Sequence, residues 1–152
     1  MRLTQYELEL EDDKPILVKE RAFNYSEHEL NMPGKIVKMM NYLFRMDRMA
    51  DEKMYMIAFN TRMKPLGIFE ISHGTVNSSI LDARGVYIRA LLCGATCITL
   101  IHNHPGKSSM PSAEDFKVTQ TIKEAGNLMG IPLIDHLIVG ADYYSFKADG
   151  NL

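Results

Sequence analysis

The chain reads as an α/β domain in which a mixed β-sheet is flanked by helices. Two observations predict this. Short apolar runs with strand character recur at residues 3–10, 16–24, 54–59, 66–71, 97–101, 133–139 and 143–147. Segments of helical composition stand between them at 35–46, 83–92 and 113–129. Strands alternating with helices make a layered fold with some parallel pairing. There are no internal repeats and no linker, so residues 1–152 are expected to form a single domain. Its parts are N-terminal strands and a helix (1–50) and a chemically distinctive core (51–149).

The elements can be justified in order. Residues 3–10 alternate at period two, Glu11-Asp12-Asp13-Lys14-Pro15 is a polar turn, and Ile16-Leu17-Val18 opens a second strand, so the chain starts with a hairpin. The acidic run is a solvated turn. Asn31-Met32-Pro33-Gly34 precedes a helix whose apolar positions are Ile36, Met39, Met40, Leu43 and Phe44, with Asn31 or a neighbour as its cap. The methionines there are core filler. Strand 54–59 and its return at 66–71 flank a hairpin loop at 60–65. Gly74-Thr75 and Asn77-Ser78-Ser79 are loop chemistry. After helix 83–92 and strand 97–101, Pro105-Gly106 breaks the strand. Gly130 ends helix 113–129, Ile131-Pro132 turns the chain, and two strands close it.

The chemistry is concentrated in His102-Asn103-His104-Pro105-Gly106-Lys107-Ser108-Ser109-Met110-Pro111-Ser112-Ala113-Glu114-Asp115. Side chains at i and i+2 of a strand share a face, so His102 and His104 can converge at the end of strand 97–101. Ser112 with Asp115 three residues on is a helix N-terminus, with Ser as N-cap and an acid at N3. Asp115 then sits in the first helical turn and can face the histidines. Two imidazoles and a carboxylate leave the fourth position of a tetrahedral Zn2+ open, the pattern of a catalytic rather than a structural site. A hydrolase of this kind also needs a carboxylate as general base beside the metal. Glu52, opening strand 54–59, and Glu70, near the end of the return strand, both qualify on the residues alone. Ser112 combines a capping role with hydrogen bonding to a substrate oxyanion. Asn103 points away from the histidines and is read as structural. His136 is given a packing or supporting role, and His28 and His73 are loop residues.

This constellation resembles the JAMM (MPN+, JAB) metalloprotease motif, an upstream Glu followed by His-x-His-x7-Ser-x2-Asp. It is more closely similar to the bacterial RadC-like branch. The residues that carry the likeness are Gly74-Thr75, His102-Asn103-His104-Pro105, Pro111-Ser112-Ala113-Glu114-Asp115 and Asp135-His136-Leu137-Ile138-Val139-Gly140. The likeness covers about residues 51–149. The chain departs from the branch in having Ala83-Arg84-Gly85 before the central helix and Gly106-Lys107 after His104-Pro105. The resemblance implies an MPN-like fold with the layering of cytidine deaminases. It also implies a zinc-dependent peptidase or isopeptidase acting on a protein or peptide, including ubiquitin-like substrates. His102, His104 and Asp115 would be the metal ligands, Ser112 and an upstream Glu the catalytic residues, and the likeness favours Glu52 over Glu70 as that base.

Composition narrows the alternatives. Net charge is −2, and no block of Lys and Arg is present, which gives no support to a nucleic-acid face. A metal-dependent nuclease or DNA-repair role is therefore the weaker enzyme reading, and a non-catalytic scaffold would be expected to have lost ligands. No apolar span suggests a membrane. Cys93 and Cys97 read as buried free thiols, which fits a cytoplasmic protein.

Overall fold

A computed structural model describes residues 1–74 and 81–152. The loop chemistry read from Thr75 and Asn77-Ser78-Ser79 lies outside the described residues. Strands β1 (Arg2–Glu11) and β2 (Lys14–Asn24) form the opening hairpin. Its turn is only Asp12-Asp13, both at positive φ (49° and 60°). That left-handed pair matches the twist of a tight hairpin, and aspartate tolerates it better than most residues.

Helix α1 (Pro33–Phe44) begins and ends two residues earlier than the spacing suggests. Pro33 stands at its first position, where the missing N–H costs nothing. Asn31 is not its cap. The N-cap residue is Met32, without a side-chain hydrogen bond, and the Asn31 amide donates to Glu29 instead. Arg45 adopts φ 55° and stops the helix, so Met46 falls in a short 3-10 turn (Met46–Arg48).

Strands β3 (Lys53–Phe59) and β4 (Pro65–His73), helix α2 (Ala83–Leu92), strand β5 (Cys97–Asn103), helix α3 (Ala113–Met129), and strands β6 (Leu133–Val139) and β7 (Tyr143–Ser145) follow. The described strands form one sheet in the order β2-β1-β4-β3-β5-β6-β7. It is mixed: β1 runs parallel to β4 and β5 to β6, and the other neighbours are antiparallel. The fold class is thus α/β, with helices on both faces of a mixed sheet.

Among the described residues, the two larger cores lie on opposite faces of the sheet. Ile36, Val37, Met39 and Met40 of α1 pack with Tyr55, Ile57, Phe59, Ile101 and Leu137. Val86, Tyr87 and Ala90 of α2, with Val118 and Ile122 of α3, pack with Met54, Met56, Phe69, Ile98 and Leu100. The alternation is strict along β3. Even-numbered residues face α2 and α3, and odd-numbered residues face α1. Burial of every residue from Met54 to Phe59 marks β3 as a central strand covered on both sides.

β5 is longer than its apolar run. His102 pairs with Met54 and with Ile138, and Asn103 pairs with Val139, so the ladder carries the chain two residues into the polar motif. β7 is shorter than expected because residues 146–150 turn back, with Phe146 N–H donating to the His136 carbonyl. Cys97 is buried and Cys93 only half-buried, and both are free.

Candidate metal centre

The parity of the sheet decides which side chains can meet. His102 lies on the α2/α3 face of β5, as does His104 just past the strand end, and Glu52 precedes β3 on the same face as Met54. Asp115 enters from the first turn of α3. Its position is set by a full capping box: Ser112 Oγ accepts from Asp115 N–H at 3.2 Å, and Asp115 Oδ2 accepts from Ser112 N–H at 2.7 Å. The Ser112 hydroxyl also donates to Asp115 Oδ2, at 2.7 Å.

The four groups converge. His102 Nε2 and His104 Nε2 are 3.1 Å apart. Asp115 Oδ1 is 3.1 Å from the first, and Oδ2 is 3.4 Å from the second. A tetrahedral ion with bonds of about 2.0 Å spaces its ligands roughly 3.3 Å apart, so these separations suit one small cation. Glu52 Oε1 is 4.0 Å from His102 Nε2, and ligand atoms of Glu52, His102 and His104 all lie within 4.8 Å of one another. Asp115 Oδ1 and Glu52 Oε1 are both buried without a hydrogen-bond partner. Two unpartnered carboxylate oxygens beside two imidazole nitrogens form a donor set suited to a cation, because such oxygens are costly to bury otherwise. The cluster is consistent with a JAMM-type metal site.

The surroundings tune these groups. Burial pushes the Glu52 carboxyl above its ordinary range, against the pull of His102 and His104. Burial alone would raise Asp115 too, but the His102 and His104 imidazoles beside it overcome that and hold its carboxyl well below the usual carboxylate range. The Asp115 carboxylate beside it raises His104 against the effect of burial.

Backbone contacts hold the loop that carries His104. His104 N–H donates to the Val139 carbonyl at 2.8 Å, and Ala141 N–H donates to the Lys107 carbonyl at 2.7 Å. His104 Nδ1 lies 2.7 Å from the Ser108 carbonyl, which can only accept, so Nδ1 carries the hydrogen and Nε2 presents a lone pair. Lys107, at φ 69°, hydrogen-bonds through its ammonium to the Asp47 carbonyl and ties the loop to the 3-10 turn.

The structure separates the two glutamates. Glu70 lies on the α1 face with Lys53 Nζ at 3.1 Å and Tyr55 Oη at 3.2 Å, across the sheet from the histidines. Asn103, facing away from them, accepts from Lys53 N–H at 2.9 Å and donates to the Asp51 carbonyl at 3.0 Å. It thereby clamps the backbone on both sides of Glu52. Asn103, read from the sequence as a structural residue that holds the loop through hydrogen bonds, finds its partners in the backbone that the β3–β5 pairing brings beside it. His73 lies near Asp51, outside the cluster, and His28 also lies apart from it. His136 is fully buried behind His102, with its Nε2 2.9 Å from His102 Nδ1. Thr119, which contacts His136, carries no signal in the sequence beyond its place on α3.

A family model described as the RadC-like JAB domain matches residues 30–151, extending the likeness upstream through α1. A UPF0758 protein of Alkaliphilus metalliredigens is 38% identical over 109 residues, covering 70% of this chain and 47% of the relative. A UPF0758 protein of Clostridium acetobutylicum is 40% identical over 102 residues (66% and 44%). One from Moorella thermoacetica is 35% identical over 135 residues (86% and 56%). The chain spans about half the length of these relatives. Among the described residues, no helix is long and apolar enough to cross a membrane.

Proposed function

We propose that this chain, which belongs to the RadC-like JAB domain family within the JAMM/MPN superfamily, is a zinc-dependent peptidase or isopeptidase. The observation that carries the reading is the meeting of His102, His104, Asp115 and Glu52 at one point, with two buried carboxylate oxygens left unpartnered. His102, His104 and Asp115 would hold Zn2+. When bound there, the ion would polarise a scissile carbonyl and lower the pKa of a water molecule.

The protein's own residues supply the rest. Glu52 Oε1, at 4.0 Å from His102 Nε2, stands farther off than neighbouring ligands of a tetrahedral ion would, which suits a base beside the ion rather than a ligand to it. Burial raises its proton affinity, which suits a general base that takes a proton from that water and returns it to the leaving amine. Ser112 is exposed at the mouth of the site, and its hydroxyl can turn from Asp115 to a developing oxyanion. The substrate class is a protein or peptide, ubiquitin-like modifiers included, and the location is the cytoplasm, which the free thiols suit. The chain acts as a single domain, a reading supported by the one sheet that runs from β1 to β7.

Cleavage of a panel of peptide and ubiquitin-like fusion substrates by zinc-loaded protein tests this. Glu52→Gln is expected to keep zinc and slow turnover by about a hundred- to ten-thousand-fold, while Glu70→Gln stays active. Full activity in Glu52→Gln would remove Glu52 as the base.

A further inference from the structure

An imidazole ligand needs its outward nitrogen fixed so that its inner nitrogen presents a lone pair, and the usual partner is a carboxylate, carbonyl or water. Behind His102 stands another imidazole, His136, which can donate or accept and so decides nothing by itself. The decision is made one step farther out. Thr119 Oγ1 lies 2.6 Å from the Asp115 carbonyl, which only accepts, so the hydroxyl donates there. The same oxygen is 2.7 Å from His136 Nδ1 and has only lone pairs left to offer. His136 Nδ1 must then carry hydrogen, and Nε2 of the neutral ring is bare. At 2.9 Å from it, His102 Nδ1 donates, and His102 Nε2 turns its lone pair to Asp115 and His104. Phe146 stacks on the His136 ring, with centroids 5.0 Å apart and planes within 10°, and both side chains are fully buried.

We infer that Thr119 and His136 are positioning residues, a hydroxyl–imidazole chain that fixes His102 as an Nε2 ligand. The inference rests on the reading of His102 as a metal ligand. It also gives α3 a second hold on the centre, since the helix that carries Asp115 orients His102 through Thr119.

Nitrogen-15 NMR of the histidine rings of the full chain, before and after addition of zinc, reads the tautomers directly. The expected result is hydrogen on Nδ1 of both His102 and His136 in each state; hydrogen on Nε2 of His136 overturns the chain. Zinc affinity, measured by competition with a chromogenic chelator, is the second reading. Thr119→Val keeps the shape without the hydroxyl and is expected to weaken zinc binding about 10- to 100-fold, with Thr119→Ser restoring it. Equal affinity in folded Thr119→Val and wild type would also overturn the inference. If wild type bound no zinc, the metal-site reading would fall, whereas the His136 tautomer would still decide the relay.

Discussion

Ser112 carries two duties that two measurements on one variant can tell apart. Its oxygen caps α3 and its hydrogen points to Asp115. Ser112→Ala is expected to cost roughly 0.5 to 2 kcal/mol of stability as a lost cap, and to slow turnover about a hundredfold or more as a lost oxyanion donor. Ser112→Thr keeps both groups and should recover both quantities. Melting temperature and kcat on the folded variants check this, and normal kcat in Ser112→Ala would reduce the residue to a cap. At this scale the sequence was highly legible, because an i, i+2 pair at a strand end and an N-cap with its N3 acid are local geometries. Glu52 against Glu70 was not. Each is a strand-end acid, and only the pairing of β3 with β4 and β5 shows that they lie on opposite faces.

At the scale of elements, two glycines mark where backbones press together. A Cβ on Gly126 of α3 would lie 2.6 Å from the Ile131 carbonyl and closer still to the Tyr87 hydroxyl. A Cβ on Gly140, after β6, would lie 2.8 Å from Ser109 N and nearer to the Lys107 carbonyl, both in the loop that follows His104. Gly126→Ala and Gly140→Ala should each cost on the order of 1–3 kcal/mol as overpacking. Only Gly140→Ala should also weaken zinc binding, because the loop it displaces holds His104. Thermal melts and zinc titrations of both variants test the distinction; unchanged affinity in Gly140→Ala would mean that the loop does not set the ligand. Helices α2 and α3 were readable to the residue, α2 from composition and α3 also from Ser112, Asp115 and Gly130 at its ends. The start of α1 was not, because Pro33 at the first helical position replaces a side-chain cap, and Asn31 offers a misleading one.

Across the whole molecule, the sheet brings together residues from three separate stretches: Glu52 before β3, His102 and His104 at the end of β5, and Asp115 on α3. Elements and the mixed α/β class follow from apolar periodicity, but strand order does not, since β1 lies beside β4 and β5 beside β3 through contacts distant in sequence. The central claim is that this convergence is a zinc site. The most direct measurement is metal content and thermal stability of wild type and His104→Ala on titration with zinc. The account predicts one zinc per wild-type chain, a melting temperature that rises with added zinc as ligand linkage requires, and neither effect in folded His104→Ala. A wild-type chain that takes up no zinc and gains no stability from it would contradict the account.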